Sequence, residues 1–298
     1  QIEADGINVI GVVGKFSVRN AAHEHQIADW VKDRFSHVAM GHTISGILNF
    51  PRRIFTTYLN ASLHELHKGF SDALKHILDE SNFHAPRYLL KPDGGTIDLI
   101  KSNKSPARTV QSGPAAGVMG ALALDGCPGT TLVLDVGGTT TDMSVVLNGI
   151  PLLNPNGIKL GRYKTLIRSL ITHSLGTGGD SAIQKNADGT LTVGPVRKGP
   201  PVAFGGDAAT PTDAMITLGL LDVGNNRAAK AAMEDLGNAL GCKAETAAKR
   251  VLQQMADTIA QSARAFVYDI NAQPVYTIYE VLNEEKIEPT SVLIMGGP

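Results

Sequence analysis

The sequence has few of the features that mark several broad classes of protein. Two cysteines, Cys127 and Cys242, occur in 298 residues, and they form neither a disulfide framework nor a paired metal-binding motif. No apolar run approaches the roughly 20 residues that cross a bilayer, and the first residues do not form a signal peptide. Lys and Arg number 27 against 28 Asp and Glu, without a basic stripe. These absences argue against disulfide-rich, membrane-spanning and nucleic-acid-binding proteins, and we expect a reducing, cytoplasmic setting.

Apolar runs of strand length alternate with segments of helical periodicity along the first 100 residues. Residues 7–18 predict a buried strand, and "AAHEHQIADWVKDRF" has apolar residues at helical spacing. A second strand is predicted near "HVAMGHTIS", then a helix over 54–78 and a strand–turn–strand unit around Asp93-Gly94-Gly95. This alternation favours an α/β layered fold.

The polar, turn-rich segment "KSNKSPARTVQSG" predicts a domain boundary near Arg108. We therefore expect one domain over residues 1–108 and a second over residues 109–298. The chain starts without Met close to a strand-like run, and it stops on "SVLIMGGP", a strand that enters a glycine turn. We expect it to be a piece of a longer polypeptide.

The second predicted domain contains further local signals. Asp188-Gly189 lies between two apolar runs and predicts a hairpin turn. Thr212 is the predicted N-cap of a short helix. Two longer helices are expected over 227–240 and 244–270, and a last strand over 291–295.

The segment "LVLDVGGTTTDMSVVLNGIPLL", residues 132–153, predicts a ribbon of three antiparallel strands. Asn148-Gly149 is a strong hairpin signal, because a type I′ turn needs positive φ at both of its central residues. The Gly-Gly-Thr-Thr-Thr turn then folds the first strand back on the second. Asp135 and Asp142 lie on either side of this turn, where a strand that only fills a core would not place carboxylates.

The residues of this turn suit a phosphate group. Glycines allow successive N–H groups to face one concavity, and threonine hydroxyls add donors without charge. Mg²⁺ binds through one or two carboxylates together with nucleotide phosphates, so Asp135 is predicted to hold the metal. Asp142 is predicted to bind the same metal shell or to orient a water, and both aspartates are candidate catalytic residues. The alternative interpretation is a tight turn whose aspartates cap backbone amides; the setting between two buried strands favours the phosphate site.

The pattern D-x-G-G-T-[ST]-T-D resembles the phosphate loops of the actin-like ATPase superfamily. More narrowly, the chain resembles the hydantoinase A and 5-oxoprolinase family, which is related to the acetone and acetophenone carboxylases. Segments that resemble this family occur in the same order along nearly the whole chain: "SVRNAAHEHQIADWV", "RRIFTTYLNASL", "KPDGGTIDL", "ARTVQSGPAAGVMGA", "THSLGTGGDSAI", "TPTDAMITLGLLD" and "SVLIMGGP".

The resemblance implies a ribonuclease-H-like, actin-like ATPase fold in which two halves close over a nucleotide. It implies that the phosphates are bound by Gly137, Gly138, Thr139, Thr140 and Thr141 with the flanking aspartates. It implies that the neighbouring cleft is lined by Gly176, Gly178, Gly179 and Asp180. The adenosine turn corresponds to Gly296 and Gly297.

The chain also departs from the family's pattern. The family begins with a further glycine-rich hairpin, and residues 1–108 supply none, so we expect an incomplete first half. Where the family often reads G-A-G-G-G-S, this chain has Asp180 in place of a glycine, which changes the charge that faces a nucleotide.

The resemblance implies an ATP-dependent cyclic amide hydrolase that uses ATP and Mg²⁺ to phosphorylate a lactam or hydantoin oxygen, so that water opens the ring. It implies a hydantoinase B-type partner, a small cyclic amide substrate and an oligomer, and neither nucleic acid nor membrane as a partner. We expect this chain alone to be inactive. Two alternatives remain: an ATP-dependent ketone carboxylase subunit, and a non-catalytic actin-like ATPase that remodels a partner.

Histidines are concentrated in the first part of the chain. His23-Glu24-His25 and the pair His64 and His67 have spacings that occur in metal sites, although neither is the HExxH pattern of metalloproteases. A helix start and a solvated helix face are the alternative interpretations, and we favour them.

Overall fold

The computed structural model describes residues 2, 5–154, 156–272 and 286–297. The chain groups into two compact units. The first unit comprises Gln1–Met119 and Leu153–Ile171, and the second comprises Gly120–Leu152 and Thr172–Pro298. This division differs from the predicted single boundary near Arg108, because one segment of the chain returns to the first unit.

The described residues form helices and strands in the following order, with a run of ten strands over residues 130–193. Up to residue 125 they are β1 (Val9–Val12), α1 (Ala22–Val31), β2 (His37–Met40), α2 (Gly41–Ile44), α3 (Phe50–Ser62), α4 (His64–Glu80), β3 (Tyr88–Leu90), β4 (Thr96–Asp98) and α5 (Ser112–Asp125). From residue 130 they are β5 (Thr130–Val136), β6 (Thr141–Leu147), β7 (Ile150–Pro151), β8 (Leu153–Asn154), β9 (Lys159–Leu160), β10 (Tyr163–Lys164), β11 (Ser169–Leu170), β12 (Thr172–Leu175), β13 (Ile183–Lys185), β14 (Leu191–Val193), α6 (Pro211–Thr217), α7 (Asn226–Leu240), α8 (Ala244–Asn271) and β15 (Ser291–Gly296).

The first unit is built on a parallel strand pair. β1 and β2 pair in register Val9↔His37, with α1 as the crossover between them. α3 packs on both strands, and Thr57 lies so close to β1 that a Cβ on Gly11 would be 3.2 Å from its Cγ2. The single helix predicted over 54–78 is instead two helices, α3 and α4, joined at Leu63. The amide of Leu63 donates to Leu59 O, as it would in one continuous helix. The apolar spacing of the sequence therefore gives no sign that α3 ends and α4 begins here.

The segment Leu153–Ile171 belongs to the first unit because its side chains and backbone complete that unit's packing. Ile158 and Ile167 form a buried cluster with Ala107. The amide of Leu166 donates to the hydroxyl of Thr56 on α3 at 2.9 Å. These contacts join parts of the chain that are separated by more than 50 residues.

A five-stranded sheet forms the centre of the second unit. Its strand order is β12-β6-β5-β15, with β7 also paired to β6. β5, β6 and β7 are the three antiparallel strands predicted from the sequence, and Asn148 and Gly149 have φ values of 48° and 79° at the hairpin turn. β15 lies parallel to β5 and continues to Gly296.

Three helices complete the second unit. α6, α7 and α8 contribute Ala214, Met233, Ala248 and Val251 to a core that also contains Leu191 of β14. The alanine-rich faces of these helices are therefore buried in the core.

The predicted N-cap of α6 is wrong by two residues, because Thr210 rather than Thr212 caps the helix. The Thr210 side chain accepts a hydrogen bond from the amide of Asp213, and the Asp213 carboxylate accepts one from the amide of Thr210. This reciprocal capping box fixes the start of the helix.

Among the helices that the structure describes, none combines the length and the apolar character required to traverse a bilayer.

Candidate functional site

The two aspartates of the candidate site lie directly opposite each other. In the β5–β6 register, Asp135 faces Asp142 and Val136 faces Thr141. Directly opposed residues of an antiparallel pair are on the same face of the sheet with Cβ atoms about 4.5–5.5 Å apart. The short turn between Val136 and Thr141 therefore brings the two carboxylates together at one end of the sheet.

The environment of this pair disfavours two negative charges. Burial raises the pKa of Asp135, and the charge of Asp142 raises it further. The Oδ1 atom of Asp142 is buried and has no hydrogen-bond partner within the described residues. Buried polar atoms are normally paired. A cation between two such carboxylates would satisfy the orphaned oxygen and remove the repulsion, so these residues fit a Mg²⁺ site.

The turn between β5 and β6 presents hydrogen-bond donors. The amide of Gly137 donates to Thr140 O at 2.9 Å and closes the turn. In the described part of the chain, the amides of Gly138, Thr139 and Thr140 donate no hydrogen bond, and neither do the hydroxyls of Thr139 and Thr140. The Thr141 hydroxyl is buried and donates to Thr177 O at 2.7 Å, so it has a structural role.

The loop after β12 packs directly on this turn. The amides of Gly179 and Asp180 donate to the carbonyls of Gly137 and Gly138, at 3.0 and 2.6 Å. A Cβ on Gly178 would lie 2.4 Å from Gly137 O, so backbone touches backbone at this point. The carbonyls of Gly137, Gly138 and Thr140 are used within the protein, whereas three amides and two hydroxyls of the turn are left for a ligand, so donors predominate. This favours an anion over a cation at the turn itself.

The remaining predicted site residues occupy different surroundings. Gly296, with φ of 108°, lies beside the carboxylate, since its Cβ would be 2.9 Å from Asp135 Oδ1. A Cβ on Gly297 would meet nothing within 4 Å, so the chain is open there. Gly176 packs on Pro195, away from the amides of the turn. The structure therefore brings the 137–142, 178–180 and 296 positions together at one end of the sheet.

The sequence analysis missed three residues next to this site. The amide and hydroxyl of Thr212 both donate to Gly179 O at 2.9 Å. Asp213, fully buried, accepts hydrogen bonds from the amides of Val202 and Ala203. Arg197 forms an ion pair with Asp180 at 2.8 Å. The capping-box spacing would have located Asp213, but no sequence signal marks Arg197, which lies 17 residues after its partner.

Several histidines of the first unit contact other side chains, although His37 Nε2 and His64 Nδ1 are buried without a hydrogen-bond partner in the described residues. Glu24 accepts hydrogen bonds from the amide of Gly14 and from both the amide and Nδ1 of His42. His64 stacks on His37 with ring centroids 3.7 Å apart, and His67 contacts the Ser102 hydroxyl. Within the ranges that the structure describes, no group of three or more His, Cys, Asp or Glu residues is placed to hold a metal ion. His23 and His25 are exposed in the first turn of α1, as expected of a helix start. His64 and His67 are half-buried, so they do not lie on the solvated helix face that was expected.

Comparison with solved structures identifies the class of fold. A nucleotide-free structure of an acetone carboxylase matches with a TM-score of 0.70 and 22% identity, over 90% of this chain and 41% of the other. The ATP-dependent caprolactamase of Pseudomonas jessenii matches with a TM-score of 0.68 and 23% identity, over 89% of this chain and 41% of the other. These likenesses confirm the predicted α/β, actin-like ATPase fold.

Comparison of the sequence then identifies the family. The model of the hydantoinase/oxoprolinase family matches residues 53–279, and the chain belongs to this family. The gamma subunit of the acetophenone carboxylase of Aromatoleum aromaticum is 26% identical over 288 residues, which cover 88% of this chain and 39% of that protein. The chain thus spans about two fifths of the length of the relatives that it matches.

Proposed function

We propose that the chain forms the nucleotide-binding part of an ATP-dependent enzyme that acts on cyclic amides. The observation that carries this proposal is the opposed pair Asp135 and Asp142 beside a turn whose free groups are mainly donors. Membership of the hydantoinase/oxoprolinase family and the fold shared with a caprolactamase support it.

Each residue of the site has a role in this proposal. Asp135 and Asp142 would hold Mg²⁺, which would neutralise phosphate charge when bound. The amides of Gly138 to Thr140 and the hydroxyls of Thr139 and Thr140 bind phosphate oxygens. Gly178, Gly179 and Gly296 keep the backbone close to this point. Phosphoryl transfer requires chiefly such positioning and charge stabilisation.

Transfer of the γ-phosphoryl group from ATP to the amide oxygen releases ADP and makes the amide carbon more electrophilic. Water adds to that carbon, the ring C–N bond breaks as the nitrogen takes a proton, and hydrolysis of the resulting acyl phosphate releases phosphate. We propose a hydantoinase B-type subunit as the partner that completes the enzyme, an oligomeric assembly, and a cytoplasmic location. One relative is the gamma subunit of an acetophenone carboxylase, which supports an assembly of several subunits.

A ketone carboxylase subunit is the second candidate, and it has equal support from named relatives. An acetophenone carboxylase subunit and an acetone carboxylase are both similar to this chain. Both candidates use the same nucleotide site, so only a substrate assay separates them.

Titration calorimetry with MgATP tests the nucleotide site. We expect the wild-type chain to bind, and Asp135→Ala and Asp142→Ala to bind at least about tenfold more weakly, a change of about 1.4 kcal/mol. Asp235→Ala, which removes an exposed carboxylate on α7, is the matched control. Absence of binding by the wild type, or equal binding by all four proteins, would overturn the proposal.

An assay of phosphate release then separates the enzymatic candidates. The chain is combined with a B-type partner and tested with 5-oxoproline, hydantoin, caprolactam, acetone and acetophenone. Stimulation by the cyclic amides supports the hydrolase, and stimulation by the ketones with bicarbonate supports the carboxylase. ATP turnover that depends on a protein partner but on none of these substrates favours the non-catalytic alternative.

A further inference from the structure

An ion pair lies directly on the turn of the candidate site. Arg197 Nη2 is 2.8 Å from Asp180 Oδ2, and the side chain of Arg197 is 46% exposed against 16% for Asp180. The amide of Asp180 donates to Gly138 O. A Cβ on Gly138 would lie 3.0 Å from Asp180 Oδ2, so the carboxylate is in contact with the turn. The guanidinium is therefore held next to the amides that we assign to phosphate.

The charges at this end of the sheet need such a cation. Asp135, Asp142 and Asp180 are all acidic, and a nucleotide brings further negative charge. Among the ion pairs of the described residues, that of Arg197 is the one that involves a carboxylate of the site. A planar guanidinium binds phosphate oxygens through two parallel hydrogen bonds, which a lysine cannot do.

The pair with Asp180 is easily exchanged. An ion pair whose cation is open to solvent contributes little to stability, because solvent screens the charges and two side chains lose freedom. A bidentate, charge-assisted bond to phosphate is stronger. A phosphate that enters the site can therefore take the guanidinium from Asp180 at small energetic cost.

We propose that Arg197 is a phosphate-binding residue of this site and that Asp180 is its partner when no nucleotide is bound. Asp180 positions the guanidinium at the turn and releases it to the polyphosphate of a nucleoside di- or triphosphate. The inference rests on the proposed nucleotide site. The competing interpretation is a structural link between the 178–180 loop and the 195–198 segment.

Substitutions of Arg197 and Asp180 distinguish these interpretations, because we expect them to change the affinity for MgADP in opposite directions. We expect Arg197→Ala to weaken MgADP binding at least about tenfold, because a cation is lost and Asp180 is left unneutralised. We expect Asp180→Asn to strengthen MgADP binding by about twofold to fivefold, because the guanidinium no longer has a competing carboxylate. Arg197→Lys should recover only part of the affinity, since it restores charge without the planar fork.

The control is Lys198→Ala, which removes the same charge from the next, exposed residue and should change the affinity less than twofold. Calorimetry with MgADP and thermal unfolding of the ligand-free proteins are the measurements. If Arg197→Ala binds as Lys198→Ala does, or if Asp180→Asn weakens binding and lowers Tm in parallel with Arg197→Ala, the inference is overturned. Absence of MgADP binding by the wild type would instead remove the proposed nucleotide site itself.

Discussion

At the scale of the residue, Asp135 and Asp142 occupy positions that favour binding over stability. Like charges directly opposite each other on a sheet are destabilising. Here burial and the neighbouring charge both raise the pKa of Asp135. Functional sites commonly retain such unfavourable groups because the ligand, rather than the folded protein, neutralises them.

Asp135→Asn should therefore stabilise the ligand-free protein at neutral pH. A carboxyl with a raised pKa destabilises the folded state when it is ionised, so the variant should have the higher Tm. An increase of about 2–4 °C corresponds to about 1 kcal/mol in a chain of this size. As the pH falls through the raised pKa towards 3.8, the usual value for aspartate, the wild type becomes protonated and the difference should close.

Thermal unfolding between pH 7 and pH 4 measures this difference. Asp188→Asn is the matched control, because hydrogen bonds from Thr190 lower the pKa of that exposed carboxyl and the substitution should not raise Tm. A lower Tm for Asp135→Asn at pH 7 would show that the Asp135 charge is already compensated in the free protein.

At the scale of the element, the site depends on contact between the β5–β6 turn and the loop after β12. Gly178 allows this contact, because a Cβ there would lie 2.4 Å from Gly137 O and 2.7 Å from Gly138 O. Both neighbours are backbone atoms that cannot rotate away. The start of α6 supports the same loop through Thr212.

Gly178→Ala should destabilise the second unit by about 2 kcal/mol, in the range found when groups are forced into packed sites. It should also abolish MgATP binding, because the amides of Gly179 and Asp180 can no longer reach the turn. Gly120→Ala is the control: the nearest atom to its Cβ is Met295 Cε at 3.8 Å, and alanine favours a helix by about 1 kcal/mol. Urea unfolding should show opposite shifts, and a midpoint for Gly178→Ala equal to that of the wild type would contradict the close packing.

At the scale of the whole molecule, the first unit has its own buried charged centre. Glu24 on α1 is 1% exposed and accepts hydrogen bonds from residues that follow β1 and β2. Burial acts to raise the pKa of Glu24, but hydrogen bonds from Ser17, Gly14 and His42 outweigh it and the net pKa is lowered. An ionised Glu24 therefore stabilises the ends of the parallel strands.

Acid should destabilise the first unit through this residue. Because the pKa of Glu24 is lowered on folding, its contribution is present above 4.5, the usual value, and is lost as the pH falls through the lower folded value. Glu24→Gln should cost about 2 kcal/mol at pH 7, as expected for hydrogen bonds to a charged group, and the difference should shrink in acid.

Urea unfolding followed by circular dichroism measures this difference, because Trp30, the single tryptophan, is 69% exposed and its fluorescence would change little on unfolding. Glu234→Gln, on the exposed face of α7, serves as the control and should leave the midpoint unchanged. A constant difference between wild type and Glu24→Gln from pH 7 to pH 3 would contradict the assigned ionisation.

The elements whose signals are local were predicted well. The β5–β6–β7 ribbon follows from apolar strands and from Asn148-Gly149, whose positive φ values are a property of those two residue types. The hairpin at Asp188-Gly189 and the two helices near the C-terminal end follow in the same way. The joint at Leu63 depends on packing that apolar spacing does not contain. The cap at Thr210 is a local signal, the spacing of Thr210 and Asp213, and predicting Thr212 instead overlooked it.

The sequence by itself determined the ribbon, its two aspartates and the glycine–threonine turn, because each depends on contacts within about 20 residues of chain. Tertiary structure alone decided which distant groups meet that turn: the 178–180 loop, Arg197 and Gly296. It also returned Leu153–Ile171 to the first unit. The physical reason is that long-range contacts form between surfaces, and a local pattern specifies that a surface is apolar or charged without specifying its partner.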